Sequence, residues 1–97
     1  MHLLFVLTAG PRSESLLTVT ELGGAALQAG HRVSVFLAGD GTAHAQALGP
    51  LRDAGARVIG CSADAAVRGW DRPGAPGRGS FVDLAGMASD ADRVMGL

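Results

Sequence analysis

Leu3-Leu4-Phe5-Val6-Leu7 is an unbroken apolar run followed by Thr8-Ala9-Gly10-Pro11. A strand with one wet face alternates polar and apolar residues, whereas a strand covered on both faces need not. Five apolar residues ending in a Gly-Pro turn signal therefore read as a buried strand of a parallel sheet. The rest of the chain follows from that strand.

Ser13 or Ser15 can cap the next segment, where Leu16, Leu17, Val19, Leu22, Ala25, Ala26 and Ala29 recur at helical spacing. Gly30 supplies the stop. Gly23-Gly24 inside this helix costs roughly 1 kcal/mol per glycine against alanine, which implies a close backbone approach there. Val33-Ser34-Val35-Phe36-Leu37-Ala38 is a second strand. Gly39-Asp40-Gly41-Thr42 reads as a tight turn, with Thr42 capping a helix to about Ala54 and Gly55 closing it. Arg57-Val58-Ile59 is a short third strand, and residues 62–68 form a short helix. Residues 72–79 are rich in proline and glycine and read as a mobile loop. Ser80 or Asp83 starts a last helix with Phe81, Leu84, Met87 and Ala88 on one side, and residues 93–97 are a terminal strand.

Strand and helix alternate throughout. That pattern predicts a single doubly wound, flavodoxin-like α/β domain over residues 1–97. The sheet is expected to be mostly parallel and four- to five-stranded, with helices on both faces and the first strand central.

Ninety-seven residues that are 47% hydrophobic, with a mean hydropathy of +0.27, exceed what so small a core can bury. Self-association is the natural outlet. The net charge of −1 provides no field to gather nucleic acid or an anionic membrane. The longest strongly apolar run is far too short to span a bilayer and has no basic region before it, so neither a membrane span nor secretion is expected. One cysteine excludes an intrachain disulfide and a cysteine-based metal cluster, and a free thiol suits a reducing cytoplasm.

That cysteine, Cys61, falls where a strand gives way to a helix. Free backbone N–H groups and the positive end of a helix dipole favour thiolate over thiol there, while Asp64 in the first helical turn opposes it. Ser62, Ala63 and Asp64 form its expected surroundings. Open parallel sheets also place their reactive groups at the carboxyl edge. The competing reading is a buried structural thiol. Arg68 lies about 10 Å along a helix from Cys61 at 1.5 Å per residue, too far to touch the sulfur. With Trp70, Arg12 and Asp40 it is a candidate contact to a substrate or partner. Gly39-Asp40-Gly41 could cradle an anion, although a plain strand-to-helix turn explains it as well. Gly10-Pro11-Arg12-Ser13 fits neither a dinucleotide fingerprint nor a Walker motif. His2, His31 and His44 lack the spacing of a metal site and read as surface or turn residues.

In succession these pieces resemble the DsrE/TusD-type sulfur relay proteins, small cytoplasmic α/β subunits that carry persulfide sulfur on one cysteine. The opening strand with Gly10-Pro11, Ala29-Gly30-His31 before Val33-Ser34-Val35-Phe36, and Gly39-Asp40-Gly41 all match that pattern. The most telling segment is Cys61-Ser62-Ala63-Asp64-Ala65-Ala66-Val67-Arg68-Gly69. Phe81, Leu84 and Ala91-Asp92-Arg93-Val94 resemble the family's C-terminal pattern. The chain departs from it between the active helix and the last helix, a region shortened here to residues 70–79.

The resemblance implies a sulfurtransferase-like carrier with Cys61 as the sulfur-bearing residue and no metal or organic cofactor. It implies an upstream sulfur donor and a downstream acceptor protein, in tRNA thiolation or sulfur metabolism. It also implies assembly as a dimer, trimer or hexamer, or with homologous subunits. Two other classes compete: a noncatalytic scaffold subunit in which Cys61 is inert, and a small-ligand module built on the turns at 10–13 and 39–41.

Overall fold

The computed structural model describes residues 1–69 and 78–97, so Trp70 and most of the proline- and glycine-rich stretch lie outside the described residues. The elements in chain order are β1 (His2–Leu7), α1 (Ser15–Gln28), β2 (Arg32–Leu37), a 3₁₀ helix (Gly39–His44), α2 (Gly49–Asp53), β3 (Arg57–Cys61), α3 (Ser62–Val67), β4 (Arg78–Gly79), α4 (Phe81–Asp90) and β5 (Arg93–Gly96). The five strands form one parallel sheet in the order β4-β3-β2-β1-β5. β1 is interior as expected, between β2 and β5, although the middle place belongs to β2.

The order explains the two layers. The chain steps outward from β1 to β4 in one direction, then returns past β1 to β5. Right-handed crossovers place helices of the outward and return paths on opposite faces. Phe5, Leu7, Val33, Val35, Leu37 and Val58 pack against Val19 and Ala26 of α1 and Leu51 of α2. Leu4, Phe36, Ala38 and Cys61 face the other way, against Met87 of α4. β1 and β2 are apolar on both sides because both sides are covered. Leu4, Phe5, Leu7, Val35, Phe36 and Leu37 are fully buried, each worth about 1.5–3 kcal/mol of transfer free energy.

Gly30 and Gly55, at φ 87° and 118°, end the helices that precede β2 and β3, as their positions predict. Gly23 packs against Leu51, with space for a Cβ only 3.1 Å from its Cδ2, whereas Gly24 meets nothing. The close approach therefore exists at one of the two glycines. Ser80 caps α4, with its side chain accepting the Val82 N–H and the Asp83 carboxylate returning to the Ser80 N–H. Both residues named as the helix start take part.

The continuous helix expected from Thr42 to Ala54 is not present. A 3₁₀ helix ends at His44 and α2 restarts at Gly49, with Pro50 in its first turn. Pro50 has no N–H to donate to the carbonyl four residues earlier and its ring crowds that turn, so a helix can start at this proline but cannot run through it. Thr42 does not cap that helix either: its hydroxyl donates back to the Gly39 carbonyl at 2.9 Å. A second correction concerns residues 78–79. They belong to the expected loop, yet they pair with Gly60 and Cys61 as β4. Among the described residues no helix is long and apolar enough to cross a membrane.

Candidate functional site

Cys61 is the last residue of β3 and the N-cap of α3, with extended φ/ψ of −66° and 116°. The strand-to-helix junction expected from the sequence is therefore present. The side chain is 2% exposed and belongs to the α4-side core with Leu4, Phe36, Ala38 and Met87. It also borders a cleft of about 440 Å³. Cys61, Ser62 and Ala63 line that cleft from the β3–α3 junction, and Gly79, Ser80, Phe81 and Asp83 line it from the β4–α4 junction.

Strand register causes this arrangement. Cys61 pairs with Gly79, so the carboxyl ends of two neighbouring parallel strands open side by side. A Cβ on Gly79 would lie 2.6 Å from Asp83 Oδ2 and 2.7 Å from Ile59 Cγ2. Any larger residue would force the Asp83 or Ile59 side chain to shift and so alter the cleft. Asp83 is fixed above this glycine, because its Oδ2 accepts the Ser80 N–H at 2.7 Å. Phe81 is 58% exposed, and its ring centroid lies 6.1 Å from that of the buried Phe36 at an angle of 37°. That tilted contact ties the mouth of the cleft to the core.

The other candidate residues form a second cluster at the same sheet edge. Asp64 Oδ2 accepts the Gly39 N–H at 2.7 Å, which joins α3 to the start of the 3₁₀ helix. Arg68 donates through Nε to Asp40 Oδ1 at 2.8 Å and through Nη1 to the Asp64 carbonyl at 3.2 Å. The hydrogen bond to Asp40 is the main reason the guanidinium holds its proton more firmly than usual, with smaller contributions from the charges of Asp40, Asp64 and a Cys61 thiolate. Arg68 and Asp40, expected as separate partner contacts, thus bind each other. Asp40 also borders a groove of about 540 Å³ with Gly10, Pro11, Arg12 and Ser13. An adjoining one of about 290 Å³ is lined by Pro11, Asp40, Ala43 and Arg68. Arg12 is exposed there. Trp70 lies outside the described residues.

His44 corrects the reading of the histidines. It is buried, and its Nε2 donates to the Ala9 carbonyl at 3.0 Å, which anchors the 3₁₀ helix to the end of β1. His2 is tied to β2 through Ser34 Oγ at 2.8 Å and the Arg32 guanidinium at 2.9 Å. Among the described residues no group of three or more His, Cys, Asp or Glu side chains could hold a metal ion.

Gly79, Ser80, Phe81 and Asp83 were not among the site residues expected from the sequence. One local signal was available: Ser80 with Asp83 three residues later marks a helix start, and in a parallel sheet such starts gather at one edge.

No protein-family model matches the chain, and no curated protein matches it significantly. Among solved structures, the chain is similar to the ychN protein from E. coli, with a TM-score of 0.85 at 22% identity over 100% of this chain and 99% of that one. At that identity the likeness shows a shared small α/β fold.

Proposed function

We propose that this protein is a sulfur carrier that holds persulfide sulfur on Cys61. The observation that carries the reading is the position of Cys61: the thiol stands at the carboxyl end of a parallel strand, at the N-cap of a helix, beside a cleft. The resemblance of residues 61–69 to the active segment of the DsrE/TusD-type proteins supports it. In the loading step the Cys61 thiolate attacks the outer sulfur of a donor persulfide, R–S–SH. The donor S–S bond breaks and a new S–S bond forms on Cys61. The donor leaves as R–S⁻ with the bonding electron pair, and the proton stays on the transferred sulfur. An acceptor thiolate then takes that outer sulfur by the same exchange and releases the Cys61 thiolate. The partners are a donor and an acceptor protein in the cytoplasm, with further copies of this chain or homologous subunits.

The test is intact mass after incubation with a persulfide donor. A gain of one sulfur that dithiothreitol removes, and that is absent from Cys61→Ala, is the expected result. No gain in the folded wild type overturns the reading.

One observation favours a second reading. Cys61 is buried among Leu4, Phe36 and Met87 as a structural thiol would be. In that case the protein is a noncatalytic subunit, and Cys61→Ala leaves sulfur transfer by its complex intact.

A further inference from the structure

Asp83 is a wall of the cleft beside Cys61 and is held there by the capping box of α4, its Oδ2 accepting the Ser80 N–H at 2.7 Å. It is the only charged side chain among the described residues that line this cleft. Asp64 is committed to the Gly39 amide, and Arg68 is bound to Asp40. Arg78, the residue before Gly79, is exposed on β4 and is not among the residues that line the cleft. Residues 70–77 contain one acid, Asp71, and one base, Arg72.

From this geometry we propose that the cleft selects sulfur compounds by charge: it takes donors and acceptors that are neutral or cationic beside the reacting sulfur and disfavours anionic ones such as thiosulfate, with Asp83 as the specificity-determining residue. The proposal rests on Cys61 being the sulfur-carrying group. It adds the class of partner, a thiol or persulfide without a negative charge next to its sulfur. The apolar part of the lining, Ala63 and Phe81, suits the uncharged part of such a partner. At separations of about 4–8 Å a unit charge changes the encounter by roughly two- to fivefold at solvent-like dielectric.

The experiment compares alkylation of native Cys61 by neutral iodoacetamide and anionic iodoacetate, each rate divided by that of the same reagent with a free cysteine peptide. The expected result is a normalised iodoacetate rate roughly two- to fivefold below the iodoacetamide rate at low salt, moving towards equality as salt rises. Asp83→Asn should bring the two rates together, and Asp83→Glu, which keeps both the charge and the capping geometry, should keep them apart. Should Asp83→Asn fail to fold, the salt dependence of the wild type decides. Equal normalised rates at low salt would overturn charge selection while leaving persulfide loading untouched. Intact selection with no sulfur gain from a neutral donor would instead overturn the sulfur-carrier reading. Labelling by neither reagent would mean that the cleft does not reach the sulfur, and would overturn the charge selection.

Discussion

The Asp64 carboxylate and the Gly39 amide, 25 residues apart, meet at 2.7 Å and fix the carboxyl edge of the sheet. This contact joins the helix that follows Cys61 to the turn that follows β2. A charged acceptor on a backbone N–H is among the stronger hydrogen bonds, but Asp64 remains 29% exposed. Asp64→Ala should therefore cost about 1 kcal/mol, or roughly 4–8 °C in Tm for a domain of this size. Arg68→Gln removes an ion pair that water screens and should shift Tm less. Thermal melts of the two variants check the order; a larger loss from Arg68→Gln would contradict it.

Gly41 is the least replaceable residue at this edge. A Cβ there would collide with the Leu7 carbonyl at the end of β1, an oxygen that also accepts the Ala38 N–H. Two backbone segments would have to separate. Gly41→Ala is expected to destabilise by about 3 kcal/mol or more. Urea unfolding measures this, and a loss under about 1 kcal/mol would show that the strand end yields easily.

Replacements of Cys61 differ in stability as well as chemistry. Serine would place a hydroxyl among Leu4, Phe36 and Met87, at a cost of about 1–3 kcal/mol if it finds no partner. Alanine leaves only a small void. Cys61→Ser should melt below Cys61→Ala, which makes the alanine variant the cleaner control for sulfur loading.

Acid stability should depend on Asp92. Its Oδ2 accepts the His2 N–H at 2.6 Å, and this bond is the main cause that holds the carboxyl below its ordinary value of 3.8, with smaller help from the terminal amine, His2 and Arg93. A depressed folded value means that the carboxylate stabilises the fold above the unfolded value. That stabilisation is lost as pH falls below about 3.8 and through the folded value. Asp92→Asn should lower Tm at neutral pH and flatten the decline of Tm in acid. Parallel melting curves for the two proteins across that range would refute the assignment.

The parts of the fold legible in the sequence are those decided locally. The apolar runs of β1 and β2 needed no partner to be recognised, and Cys61 was placed at a strand end by the residues on either side of it. The break before Gly49-Pro50 also has a local cause, the proline, but the helical pattern from Thr42 hides it. β4 is two residues long and is a strand only because Gly60 and Cys61 lie beside it. The same holds for the cleft. Asp83 is 22 residues from Cys61, and Arg68 is 28 from its ion-pair partner Asp40. Such pairs follow from strand order, which no single stretch of sequence carries.

That strand order also sets a sequence of events for the folding chain. β1 pairs with β2 across 30 residues and with β5 across 90, as Leu3 opposite Val33 and Arg93 shows. Closing the longer loop costs about 1 kcal/mol more entropy, and on a ribosome β5 emerges last. Until it docks, β1 is an edge with open hydrogen-bonding groups, and Thr8 lacks the Leu97 carbonyl that its N–H reaches at 2.8 Å. A nascent or truncated chain would therefore offer its most apolar strand to any neighbouring chain, so aggregation during synthesis should be governed by the arrival of the last strand.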